Sequence, residues 1–217
     1  WIRSCTFCIG RLVARINMTQ ININKSYLLL KKWWESIDLT NYEKCNLNKE
    51  IISLNQQLFR LKEKKLRIGI YGKAGVGKSS ILNLLLEKND FKTDIINGTT
   101  KNIERKELSF KHRSLKTIEL IDCPGFDFCD IKDPENIFWE VNSSEIILFT
   151  IAGDINRNEA SQINLFINNG KKIILVFNKI DIWNKHDFKN ICKNIRLKLP
   201  QHINCLLYTS PSPRDED

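Results

Sequence analysis

The run Gly72-Lys73-Ala74-Gly75-Val76-Gly77-Lys78-Ser79-Ser80 constrains this chain more than any other stretch, because it fits G-x-x-x-x-G-K-[ST]. Such a loop works only between a strand and a helix, and the flanks supply both. Leu66-Arg67-Ile68-Gly69-Ile70-Tyr71 alternates like a half-buried strand, and Ser80-Ile81-Leu82-Asn83-Leu84-Leu85-Leu86 reads as the helix. Glycines let the loop fold tightly, so that backbone N–H groups and the helix N-terminus converge on phosphate oxygens. In that arrangement Lys78 reaches the outer phosphates and the Ser79 hydroxyl ligates magnesium. A glycine-rich turn that matched by chance would not have strand, loop, Lys-Ser and helix in this order. The pattern implies a bound nucleotide.

With 217 residues the chain suits one α/β domain plus a short extension. A hydrophobic share of 42% is enough for a core. No apolar run approaches the roughly 20 residues needed to cross a bilayer. The formal charge of +9 invites a nucleic-acid or anionic-membrane partner. Lys and Arg are nevertheless scattered, and the abundance of Asn, Ile and Lys is also what AT-rich coding produces. Seven cysteines at irregular positions, several inside expected core elements, suggest reduced thiols and a cytoplasmic setting.

Both ends read as foreign to the fold. The only methionine is Met18, and residues 1–17 lack the order of a signal peptide, so they are read as a non-native leader. The pair Cys5-x-x-Cys8 inside it carries little weight as a metal site. Residues 205–217 look like a translated sequencing-library adaptor, which puts the end of native sequence near Asn204 and leaves the domain incomplete at its C-terminus. Residues 18–64 are then a helical extension and 65–204 the nucleotide-binding domain.

Within the extension, Asn24 to Lys65 reads as mostly helix. Leu47, Ile51, Leu54, Leu58 and Leu61 recur in steps of four and three, a seam of about two heptads. So short a seam favours packing on the chain's own domain over a free coiled coil. Leu28-Leu29-Leu30 and Trp33-Trp34 form a second apolar patch, which could instead meet a partner or a membrane surface. Beyond the glycine-rich loop, strands are expected at Ile103 to Phe110, Thr117 to Ile121, Ile146 to Ile151 and Ile173 to Phe177. Helices are expected around Ala160 to Asn168, stopped at Gly170, and over Asp187 to Leu199. Alternating strands and helices imply a parallel sheet covered on both faces.

Three further signatures follow strands in order. Gly98-Thr99-Thr100 comes after the first helix, Asp122-Cys123-Pro124-Gly125 ends the third strand, and Asn178-Lys179-Ile180-Asp181 ends the fifth. The set resembles the translation-factor-related GTPases, specifically their Era-like branch, over about Leu66 to Leu199. The resemblance implies a P-loop NTPase fold, a three-layer α/β sandwich with a mainly parallel sheet. It implies GTP or GDP with Mg2+ as ligands, held by Gly72, Lys73, Ala74, Gly75, Val76, Gly77, Lys78, Ser79 and Ser80. Guanine offers two adjacent N–H donors, and the family assigns them to the position of Asp181, with Asn178 holding the loop and the Lys179 stem covering the base. Asp122 and Ser79 would hold magnesium, joined by Thr100 or its neighbour Thr99 when the terminal phosphate is present. The Gly125 N–H would contact that phosphate. Lys78, Thr100 and Gly125 are thus the residues implied for hydrolysis.

Two positions depart from broader GTPase patterns. Phe126 stands where many GTPases place a water-orienting glutamine; the Era-like branch also carries an apolar residue there, so hydrolysis must draw on another group, a partner or dimerisation. Gly75 stands where some relatives hold potassium with an asparagine, so no potassium activation is expected by that route. The guanine-capping loop is not assigned, because Tyr208-Thr209-Ser210 lies in the adaptor-like tail. The resemblance implies a switch that hydrolyses GTP to GDP slowly or on stimulation. It leaves open ribosomal or transfer RNA, a membrane surface, or a protein effector of a non-hydrolysing scaffold as the partner.

Overall fold

Strand β5, Lys172–Phe177, is buried at every position after its first, and strand β4, Ile146–Ile151, at all of them. Runs of Ile, Leu, Val and Phe without polar alternation belong to the middle of a parallel sheet, covered on both faces. The computed structural model describes residues 23–86, 88–91, 102–112, 115–127, 134–199 and 204–206. Residues 92–101, which carry Gly98-Thr99-Thr100, lie outside the described residues, as do 1–22 and 207–217.

The elements in chain order are helices α1 (Ile23–Glu35), α2 (Asn41–Asn46) and α3 (Asn48–Lys62), strand β1 (Lys65–Gly72), helix α4 (Lys78–Leu86), and strands β2 (Glu104–His112) and β3 (Leu115–Asp122). Helix α5 (Pro134–Asn142), β4, helix α6 (Arg157–Asn168), β5, a 3-10 turn (Ile180–Ile182), helix α7 (Lys185–Lys198) and strand β6 (Asn204–Leu206) complete the order. The sheet runs β2-β3-β1-β4-β5-β6. Strand β4 pairs in parallel with β1, Ile68 opposite Ile146, and with β5, Ile147 opposite Ile173. Only two residues separate β2 from β3, too few for a parallel crossover, so that pair is antiparallel and the sheet is mixed but mainly parallel. Strand β6 pairs in parallel with β5. The sequence reading counted no sixth strand, and two of its three residues fall in the stretch read as adaptor.

The chain divides into two compact units, Trp1–Leu66 with Glu107–Glu119, and Arg67–Lys106 with Leu120–Asp217. In the first, the stretch read as mostly helix forms three helices, α1 to α3. Thr40 starts α2 with a reciprocal cap: its N–H donates to Glu43 Oε2 at 2.8 Å, and the Glu43 N–H donates to Thr40 Oγ1 at 3.3 Å. The Thr40 hydroxyl, donating to Glu43 Oε2 at 2.7 Å, and then the Thr40 N–H hold the Glu43 carboxyl below its ordinary value. Of the heptad seam only Leu58 is buried, while Ile51, Leu54 and Leu61 are half-buried and Leu47 is exposed.

The second unit holds the main core, in which Tyr71, Ile121, Phe149, Phe166, Leu175 and Phe177 pack together. One of its elements, α5, went unread in the sequence. Its signals are a proline at the first helical position and the buried pair Ile137 and Val141, four residues apart. Elsewhere the expected elements are present with ends moved by at most three residues, and Gly170 closes α6 with φ +71.

Candidate functional site

The C-terminal ends of β1, β3 and β5 lie on strands brought together by the sheet, and the turns after them carry the polar residues singled out in the sequence. After β1 the chain makes the glycine-rich turn and enters α4 at Lys78. Gly75 and Gly77 have φ +73 and +87, conformations that residues with a Cβ avoid. A Cβ on Gly77 would also strike the Asn178 Nδ2, and one on Gly72 the Thr150 carbonyl oxygen. The loop therefore needs glycine for close approach as well as for turning.

Lys78 is buried, and its ammonium donates to the Lys73 carbonyl oxygen at 2.6 Å, across the mouth of the loop. Burial lowers its pKa, opposed by the charges of Asp122 and Asp127. The next residue turns the other way. The Ser79 hydroxyl donates to Asp122 Oδ2 at the end of β3. Asp122 is 1% exposed, and burial pushes its carboxyl above the ordinary range, against the pull of Ser79 and Lys78. A hydroxyl and a carboxylate side by side suit magnesium, which takes one or two protein oxygens and completes its shell with phosphate and water. Among the described residues no cluster of three or more His, Cys, Asp or Glu could hold a metal without such help.

The third signature reaches the loop from the far side. The Asn178 N–H donates to the Ile151 carbonyl at 2.8 Å, and its Nδ2 donates to the Val76 carbonyl at 2.9 Å. Asn178 thus ties the end of β5 to both β4 and the loop. Lys179 follows in the left-handed region with φ 55 and ψ 40, and Asp181 lies in the 3-10 turn. Both are exposed. Trp183 pins the turn by donating its Nε1 hydrogen to the Ala152 carbonyl at 3.1 Å.

The structure thus gathers Gly72 to Ser80, Asp122, Gly125 and Asn178 around one loop, and sets Lys179 and Asp181 in the turn that Asn178 begins. Thr100 and Thr99 lie outside the described residues. Two residues not singled out in the sequence, Glu159 and Asp127, also touch the loop. The buried Glu159 pairs with Lys73 at 3.3 Å while capping α6 through the Asn156 N–H at 2.9 Å. Asn156-x-x-Glu159 is a capping-box pattern, so its position at a helix start was legible. Asp127 accepts the Ala74 N–H at 2.7 Å. Tyr71, at the end of β1, stacks on Phe126 at 5.3 Å and 17°. The Phe126 ring is therefore held against the core cluster rather than poised to orient water.

Residues 67–179, more than half of the chain, match the family described as 50S ribosome-binding GTPase. The chain belongs to that family. Its relatives include the tRNA modification GTPase MnmE of Mesoplasma florum, 29% identical over 93% of this chain and 46% of the relative. GTPase Der of Nautilia profundicola is 34% identical over 54% of this chain and 26% of its own length. Among solved structures, Era in complex with MgGDPNP and nucleotides 1506–1542 of 16S ribosomal RNA superposes with a TM-score of 0.55 at 25% identity, over 67% of this chain and 51% of Era. The chain spans less than half the length of these two curated relatives. Family membership accounts for both the strand-end placement of the motifs and the fold that carries them.

Proposed function

We propose that this GTPase-family chain binds GTP with magnesium and hydrolyses it to GDP, slowly alone and faster on a partner. The observation that carries the reading is the convergence of Lys78, Ser79, Asp122 and Asn178 on one glycine loop. In this reading the loop N–H groups and Lys78 hold the phosphates and offset the charge that develops on the terminal phosphoryl group. Ser79 and Asp122 hold magnesium, which neutralises phosphate oxygens. Asn178 fixes the turn, Lys179 covers the base, and the Asp181 carboxylate accepts the two guanine N–H groups, a pair that adenine does not present. The Gly125 N–H contacts the terminal phosphate, Thr100 or its neighbour Thr99 closes over magnesium when that phosphate is present, and its loss releases both segments, which makes the cycle a switch. Because Phe126 has no hydrogen-bonding group to orient water, the group that completes water activation comes from elsewhere, and a partner that supplies it sets the rate.

RNA of the ribosome is the partner class we favour, since Era is bound to 16S ribosomal RNA in the solved complex. Isothermal titration with GDP, GTP and ATP in magnesium tests the nucleotide. Micromolar or tighter binding of the guanine nucleotides alone is expected, and a blank from folded protein rejects it. Turnover with and without ribosomal subunits tests the partner, and an unchanged rate counts against RNA. A second reading has its own observation: Leu28, Leu29 and Trp33 of α1 are 63%, 60% and 54% exposed, an apolar face that a protein effector or a membrane could cover.

A further inference from the structure

The turn that carries Asp181 is anchored at both ends, and both anchors reach the end of β4. At its start the Asn178 N–H donates to the Ile151 carbonyl at 2.8 Å. At its far end Trp183 donates its Nε1 hydrogen to the Ala152 carbonyl at 3.1 Å. Two successive carbonyls, on the last residue of β4 and the one after it, thus receive the two ends of one turn. Between the anchors the backbone makes a single tight turn. The Ile182 N–H donates to the Lys179 carbonyl at 3.4 Å and the Trp183 N–H to the Ile180 carbonyl at 3.1 Å. Ile180 and Trp183 pack against the main core, whereas Asp181 and Ile182 between them are exposed. The indole also lies against Gly153, where a Cβ would come to 3.4 Å from Trp183 Cζ2. A packed tryptophan commonly finds a partner for its N–H. This one finds it beyond its own turn, so the bond fixes the turn against the sheet.

We propose that Trp183 is a positioning residue for guanine selection, its indole bond to Ala152 holding Asp181 where one carboxylate meets both guanine N–H groups. This rests on the GTP-binding reading and adds a residue that reading does not use. Asp181 is exposed, so its place over the site is set by its backbone rather than by packing of its own side chain. Asn178 fixes that backbone three residues before the carboxylate, and Trp183 fixes it two residues after. Without the second anchor the carboxylate keeps its charge but loses its alignment. A base that offers two N–H groups then gains little over one that offers a single N–H.

The test is isothermal titration of the full chain, in magnesium, with GDP and with inosine diphosphate, which lacks the exocyclic amino group. Wild type, Trp183→Phe and Trp183→Leu are compared, with circular dichroism confirming the fold of each. Trp183→Phe keeps a ring against the core and removes the donor. It is expected to weaken GDP about tenfold, the scale of one hydrogen bond to a charged group, and inosine diphosphate by less than about twofold. Trp183→Leu should lower the ratio at least as far. In an Asp181→Ala background Trp183→Phe should leave the ratio where it is, since no carboxylate remains to be positioned. Equal weakening of both nucleotides, an unchanged ratio, or a ratio that still falls without Asp181 overturns the proposal. If the folded wild type binds neither nucleotide, the GTP reading has failed and the proposal with it; if it prefers GDP and the Trp183 variants keep that preference, only the role of Trp183 has failed.

Discussion

The proposed phosphate end and the proposed base end of the candidate site are built on opposite plans. At the phosphate end Lys78, Asp122 and Asn178 are 6%, 1% and 4% exposed, and each is bonded to another strand end or to the loop itself. At the base end Lys179 and Asp181 stand in solvent on a short turn. Phosphate binding depends on many weak donors aimed at one point, so preorganisation in a low-dielectric setting multiplies their effect. Base selection needs one carboxylate at the right height, and an exposed turn held by Trp183 and Asn178 suffices. Changes at the first end should therefore disturb both binding and stability. Changes at the second should alter specificity alone.

Lys78→Ala gives the largest effect expected, a loss of about a hundredfold or more in nucleotide affinity, since hydrogen bonds to charged phosphates are lost together. Fluorescent-nucleotide titration measures it, and unchanged affinity would break the contrast outright. Next comes Gly77→Ala, which adds a Cβ against Asn178 at φ +87. It should cost about 1–3 kcal/mol in denaturant unfolding and weaken binding as well. Asp181→Asn should reverse the preference from GTP toward xanthosine triphosphate, which lacks the amino donor, while stability moves by less than about 0.5 kcal/mol because the residue is exposed. A stability loss as large as that of Gly77→Ala would show that the base end is not independent.

The smallest effect concerns pH. Burial raises the folded-state pKa of Asp122 above its ordinary 3.8. A carboxyl raised on folding favours the protonated form, so its contribution to stability is greatest at low pH and is lost as pH rises through the folded value. Magnesium needs the carboxylate. Magnesium-dependent nucleotide affinity should thus fall on acidification at a pH above 3.8, earlier than an ordinary aspartate would dictate. Titrating affinity against pH with and without magnesium checks this, and identical profiles would remove the burial effect from the comparison.

Much of the phosphate end was legible because its residues are local in sequence. Gly72 to Ser80 announce a strand-to-helix turn by their own conformational needs, and Asp122 and Asn178 follow apolar strands directly. What escaped notice was set by distance. Glu159 and Asp127 reach the loop from 86 and 53 positions away, as the pairs Lys73–Glu159 and Ala74–Asp127. Nothing in a capping box or a lone aspartate reveals which backbone it will meet. The α5 helix escaped for a different reason: its nine residues make little more than two turns, and the consecutive Ile137-Phe138-Trp139 blurs the helical period. The helices before Lys65 show local bonding setting a boundary, as Thr40 and Glu43 cap a new start between the Trp33-Trp34 patch and the seam that begins at Leu47.

The sequence by itself determined the class of fold and the order in which its polar turns occur, because apolar period, glycine and the Lys-Ser pair act over a few neighbouring residues. Tertiary structure alone decided that Asp122 is buried beside Lys78, that Phe126 faces Tyr71, and that Asp127 bonds to Ala74. Those outcomes depend on which strands become neighbours in the sheet. That choice belongs to the packing of the whole core, and no stretch of chain carries it alone.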